Sequence, residues 1–245
     1  MRMDFEVYWI PRPLPDGNIY GLPRLIAMAD EAEIDLSVLM PLPDFRPRNR
    51  QMAEAVADFD QRERFILCCQ VNPHFGLEAV DELEYCVSEL GMRGLKLMPT
   101  YHGYAVHSPL VDPVMEKARQ LGIVVNIHSG SANALPLQIA ALASRYPEVP
   151  IVMDHMGYRY YLRDAILAAQ ACPNIYLGTT LVSPAEPVVI WNAVREVGPE
   201  RIVFGSNGPG THPDMAVEGI LRLHLGNEAE ALILGENLAR LHGVD

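Results

Sequence analysis

The sequence predicts a single-domain (β/α)8 barrel spanning residues 1–245, and three observations carry that expectation. Short apolar runs of β type alternate with longer helical patterns along the chain. The alternation repeats eight times, the number that closes a parallel barrel. The length of 245 residues suits one such barrel, and no Pro/Gly/Ser-rich linker divides it. A doubly wound open sheet is the runner-up. That fold usually has a Gly-rich phosphate turn after its first strand, and YWIPRPLPDGNIYG contains none.

The elements follow in order. Residues 3–9 (MDFEVYW) form the first strand, and Pro11, Pro13 and Pro15 stiffen the loop after it. Residues 22–34 repeat apolar positions at three- and four-residue spacing, as a helix with one buried face does. Strand, helix and strand follow at 35–40 (DLSVLM), 49–61 and 64–71 (RFILCCQV). The next helix, 76–91, ends at Gly91, and the fourth strand is 94–98 (GLKLM). Helix 110–122 ends at Gly122 before strand 123–128 (IVVNIH). Helix 134–147 precedes strand 151–155 (IVMDH), and helix 161–173 precedes strand 175–178 (IYLG). Helix 186–198 ends at Gly198 before the eighth strand, 201–206 (RIVFGS). Helix 214–226 and a closing helix, 235–243 (GENLARLHG), complete the chain.

Composition narrows the function. Apolar residues make up 49%, enough for a large core, while a formal charge of −12 and a pI of about 5.1 disfavour polyanionic partners. Nucleic acid and anionic membranes are therefore not expected as partners, and the charge by itself identifies no substrate. Cys68, Cys69, Cys86 and Cys172 form no C-x-x-C pair, and neighbours in a strand face opposite sides, so all four read as free thiols. With no apolar run of ~18 residues and no signal peptide, the expected compartment is the cytoplasm.

In a barrel, alternate strand residues point inward and the chemistry gathers at the strands' C-terminal ends. Those ends offer Glu6 and Tyr8 on one face of strand one, Lys96 on strand four, Asn126 and His128 on strand five, His155 on strand six and Asn207 after strand eight. The plainest role for Lys96 is an internal ion pair with an inward carboxylate such as Glu6. Two histidines ending successive strands, near a lysine and a glutamate, point beyond packing to a functional pocket. Tyr101, His102, Tyr104 and His107 crowd the loop after strand four as a wall or an ordinary surface loop. Arg46, Arg48 and Arg50 follow strand two, where they either hold a carboxylate in a bidentate manner or remain solvated. Asn207 precedes Gly208, a pair prone to deamidation, so ageing is expected to convert the amide into a carboxylate.

The stretches GMRGLKLMP, VVNIHSG, IVMDHMG, NIYLGTT, RIVFGSNGP and ILGENLARLHGV run in family order from about residue 91 to the end. Together they resemble the amidohydrolase superfamily, in its amidohydrolase-related (type 2) branch that includes aromatic-acid decarboxylases. The resemblance implies a barrel that uses one divalent metal, zinc or manganese, for hydrolysis or nonoxidative decarboxylation of a small carboxylate, often as a homodimer or tetramer. It implies that His128 is a metal ligand and that His155 acts in catalysis. Glu6 and Tyr8 stand where the family pattern places two histidines, and Asn207 stands where it places an aspartate. Glu6 remains a ligand candidate, and Asn207 can offer only a neutral carbonyl oxygen, so the resemblance implies a weakened or absent metal site.

Three readings follow. In the first, Glu6, His128 and Asn207 hold the metal, His155 serves as general acid or base, and Lys96 holds an anionic group. Tyr8, Arg48, Tyr101 and His102 complete the substrate pocket. In the second, a metal-independent lactonase-type hydrolase uses Lys96 and Asn207 to polarise a carbonyl while His155 activates water. In the third, the barrel is catalytically inactive and binds a ligand or a partner.

Overall fold

In the computed structural model, the described residues are 1–13, 17, 20–182 and 188–244. Pro15 of the first loop and the start of the expected helix at 186 lie outside them. Eight strands run parallel in the order β1 to β8: Met3–Trp9, Leu36–Pro41, Phe65–Gln70, Gly94–Leu97, Val124–Ile127, Ile151–Met153, Ile175–Gly178 and Ile202–Val203. The ends of this sheet meet. Phe5 N donates to Phe204 O at 3.0 Å, and Tyr8 N donates to Gly208 O at 2.7 Å. The sheet is thus a (β/α)8 barrel in one domain.

The helices are α1 Leu22–Glu31, α2 Asn49–Ala57, α3 Leu77–Ser88, the single turn α4 Pro99–His102, α5 Asp112–Leu121, α6 Pro136–Ala143 and α7 Tyr158–Ala171. They continue with α8 Val188–Val197, α9 Pro213–Leu221, α10 Asn227–Ala231 and α11 Asn237–His242. The longer helices bury one apolar stripe against the outside of the barrel, as Val114, Met115 and Ala118 of α5 do. No helix among the described residues is long and apolar enough to cross a membrane.

The barrel interior is a separate core of Met3, Phe5, Val38, Met40, Ile66, Cys68, Val124, Val152 and Val203. Phe5 lies across its centre. A Cβ on Gly178 would sit 2.4 Å from the Phe5 ring, and one on Gly205 would sit 2.5 Å from it. The ring therefore closes the lower barrel, and only glycine fits beside it.

Two strands end earlier than the apolar pattern suggests. β6 stops at Met153, and Asp154–Gly157 turn sharply, with His155 at φ 62°. β8 keeps only Ile202–Val203, because side chains take over the hydrogen bonding beyond it. Gly205 N donates to Thr179 Oγ1 at 3.1 Å, and Ser206 N donates to Asp4 Oδ1 at 3.0 Å.

Candidate active site

The site begins with an irregularity in β1. Its register against β2 shifts between Asp4 and Val7, the mark of a bulge. Strict alternation would keep positions 3, 5, 7 and 9 on one face. Here Met3 and Phe5 join the inner core, and so do Tyr8 and Ile10. The shift places Phe5 in the floor and still turns Glu6 and Tyr8 toward the mouth, where Tyr8 OH donates to Glu6 Oε1 at 2.7 Å.

Lys96 of β4 reaches the same glutamate. Its Nζ lies 2.5 Å from Glu6 Oε1 and also bonds Asp154 Oδ2, and all three side chains are fully buried. The pairing expected for Lys96 and Glu6 is present, with Asp154 as an unexpected third member. Burial alone would drive Lys96 toward the neutral amine, but the carboxylates of Asp154 and Glu6 raise its pKa well above the usual value. Burial also opposes the charge on Glu6, yet Lys96 and then His155 hold its pKa well below the carboxylate range. Asp154 goes the other way, because burial and the adjacent Glu6 charge push its pKa well up. Burial and mutual charge therefore favour an ammonium on Lys96 and a carboxylate on Glu6, and bias Asp154 toward its protonated form.

Above this cluster stand two histidines. His128 follows β5 and His155 sits in the turn after β6, with His155 Nε2 3.0 Å from His128 Nδ1. His155 Nδ1 lies 3.1 Å from Thr180 O and 2.9 Å from Thr180 Oγ1. An N–H donated from Nδ1 to that carbonyl leaves Nε2 as the acceptor facing His128, a tautomer assigned from the network. Burial lowers His155 to about 4. Burial and then His155 lower His128 to about 3. Both rings are thus neutral at pH 7. Tyr158 stacks on His155 with ring centroids 4.7 Å apart. His155, Met156 and Tyr158 all take positive φ, a run of strained backbone at the ring pair.

A cleft of about 370 Å³ opens onto the pair. Its walls are mainly apolar, from Ile10, Leu42, Pro43, Met98 and Leu181, and its polar groups are Tyr8, His128, His155 and Asn207. Asn207 stands at φ 64° on the turn after β8. Arg48 lies outside the cleft beside Arg12, in a shallow depression that shares Leu42 and Pro43 with it, and pairs with Asp44 at 3.5 Å. Tyr101 is half exposed and lies edge-on to His102. His102 is buried with Nε2 3.0 Å from Asp44 O, so neither ring lines the cleft. Arg46 and Arg50 pair with Glu78 and Glu82.

Sequence reasoning passed over Asp154, Thr180 and Tyr158. Register could have found the first. Lys96 is level with Asn126, and Asn126 with Val152, so Asp154, two residues on, shares the inward face. Ligand atoms of His128, Asp154 and His155 lie within 4.8 Å of one another.

Comparison with solved structures gives the same architecture. The chain superposes on 5-carboxyvanillate decarboxylase from Sphingomonas paucimobilis with a TM-score of 0.78 and 18% identity, over 100% of this chain and 99% of that one. It matches an uncharacterised TIM-barrel protein from Bordetella bronchiseptica at 0.81 and 17%, over 98% and 97%. It also matches dihydroxybenzoic acid decarboxylase from Polaromonas sp. JS666, solved with manganese and the inhibitor 2-nitroresorcinol, at 0.75 and 18%, over 99% and 96%. At such identities the likeness is one of fold. No curated protein matches the chain. The amidohydrolase family pattern matches residues 27–244, nearly the whole barrel with its histidine pair, and the chain belongs to the amidohydrolase family of enzymes.

Proposed function

We propose that the protein is a nonoxidative decarboxylase of a small aromatic carboxylate, assisted by one divalent cation, manganese or zinc. The observation that carries this reading is the cleft itself: apolar walls lead onto a neutral histidine pair set above buried carboxyl groups. Structural neighbours named as decarboxylases of aromatic acids support it.

The residues present fit such a cation. Lys96 engages one oxygen of each carboxyl group, and Glu6 Oε2 and Asp154 Oδ1 remain buried without a hydrogen-bond partner. With Asp154 biased toward its protonated form, the two carboxyl groups can share that proton, and a cation bound beside His128 would take its place. His128 and Asp154 lie close enough to share one cation and make a mixed oxygen and nitrogen donor set that suits manganese or zinc; these two would hold it, with Glu6, bound to the same lysine as Asp154, as the next carboxylate to hand. When bound, the cation supplies charge neutralisation for the substrate carboxylate.

The remaining work belongs to the chain. Ile10, Leu42, Met98 and Leu181 take the ring and exclude water from it. Decarboxylation needs a proton on the ring carbon that bears the carboxylate. The carbon–carbon bond then breaks, its electron pair restores the ring, and carbon dioxide leaves. His155 is the proton carrier, because it lines the cleft and Thr180 fixes its orientation. An anion entering the cleft raises the basicity of the ring and lets it carry the proton at neutral pH. Asn207 offers its amide to a polar substituent.

The test is a panel of hydroxylated benzoates incubated with chelator-treated protein, with and without added manganese or zinc. Metal-dependent release of carbon dioxide and the matching arene is expected. No release from any aromatic acid, with either metal, sinks the reading.

A further inference from the structure

Asn207 and Gly208 form a sequence that deamidates readily in flexible chains, yet the fold holds the reacting nitrogen fast. Gly208 N donates to Ser206 Oγ at 2.9 Å. That hydroxyl in turn donates to Asp4 Oδ2, while Ser206 N donates to Asp4 Oδ1 at 3.0 Å. Asp4 and Ser206 are both buried, and Glu6 N adds a third hydrogen bond to the same carboxyl group at 3.0 Å. On the other side of the turn, Gly210 N donates to Asn207 O at 2.9 Å. The turn is therefore anchored on one side to the buried Ser206–Asp4 pair and closed on the other by its own backbone hydrogen bond.

We propose that Asn207 is a latent deamidation site that the Ser206 hydroxyl keeps closed. In the reaction, the Gly208 nitrogen attacks Asn207 Cγ and a C–N bond forms. The side-chain nitrogen leaves as ammonia, taking with it the proton lost from Gly208. Water then opens the succinimide to aspartate or isoaspartate. Attack requires the Gly208 N–H to leave Ser206 Oγ and turn toward its neighbour's side chain. Gly208 and the Ser206 hydroxyl are both buried, so the cost of an unmade hydrogen bond opposes the step. Asn207 lines the cleft, so opening the site would place a new negative charge beside His128 and His155.

For the folded protein the proposal runs against the expectation, drawn from the Asn-Gly pair, that ageing converts Asn207. Peptide mass mapping after incubation at pH 8 tests it in three samples: the native chain, the chain unfolded in guanidinium chloride, and native Ser206→Ala. Native Asn207 is expected to stay intact while the unfolded chain converts. Native Ser206→Ala is expected to convert about fivefold faster than the native parent, the factor for one lost hydrogen bond. Should Ser206→Ala fail to fold, the native and unfolded parent still decide the matter. Equal rates in those two samples overturn the proposal. A folded Ser206→Ala that deamidates as slowly as its parent overturns the role of the hydroxyl.

Discussion

A single buried ammonium shared by two carboxyl groups sets the character of the site. Glu6, Lys96 and Asp154 are each fully buried, so removing the central charge strands the other two. Lys96→Met is expected to cost about 3–5 kcal/mol in urea unfolding at pH 7. A variant as stable as its parent would mean that the cluster is hydrated and weakly coupled. His155→Ala has a different signature: kcat falls about 10²- to 10⁴-fold, further than the stability lost with the buried ring explains. An unchanged kcat on a substrate from the benzoate panel would remove His155 from the proton path. Glu6, Lys96, His128 and His155 were legible because each ends or lines a strand whose apolar run is unmistakable. Asp154 was not, because it precedes a histidine and reads as the tail of the same strand. What reveals it is its register against Asn126 and Val152, a relation between strands that no single stretch records.

The elements show the same division. All eight strands and their order follow from the alternation of apolar runs, since each run must be buried on both faces of a parallel barrel. Strand ends were less legible, because side chains of Thr179 and Asp4 replace the ladder beyond β8. The bulge in β1 was invisible, because an apolar strand with glutamate at position 6 looks the same with or without it. The turn after β5 and the start of α7 also act together. Gly130 stands at φ 86°, and a Cβ there would lie 2.2 Å from the Tyr158 ring that stacks on His155. Gly130→Ala is therefore expected to push Tyr158 off the histidine. Its backbone strain costs about 1–2 kcal/mol, while kcat should drop further than that loss of stability explains. Tyr158→Phe keeps the stack and should retain most activity, whereas Tyr158→Leu should not. Equal turnover by all three variants would show that the ring is packing alone.

Across the whole molecule, charge and burial set the response to solution conditions. The formal charge of −12 repels an anionic substrate, so kcat/KM for a benzoate is expected to rise as salt shortens the range of that repulsion. A kcat/KM that falls with salt would indicate local attraction at the mouth, with Arg12 and Arg48 dominant. Far from the site, burial and then Arg93 lower His242 from 6.5 to about 4. The unfolded chain therefore takes up a proton below pH 6.5 that the native chain refuses until about pH 4, and stability is lost as pH falls through that window. His242→Gln removes this contribution. Between pH 7 and pH 5 it should lose roughly 2 kcal/mol less stability than the parent, as urea melts will show. An identical loss would place the proton uptake on His128 and His155 alone. The Phe5 ring, finally, has a bearing on traffic. An aromatic plug between two glycines fills the lower barrel, so among the described residues the route to the histidine pair is the cleft at the strands' C-terminal ends. If the proposed decarboxylation holds, the arene and the gas formed in the cup leave by the doorway the acid came in through, so the spent arene obstructs the next arrival until it clears the threshold.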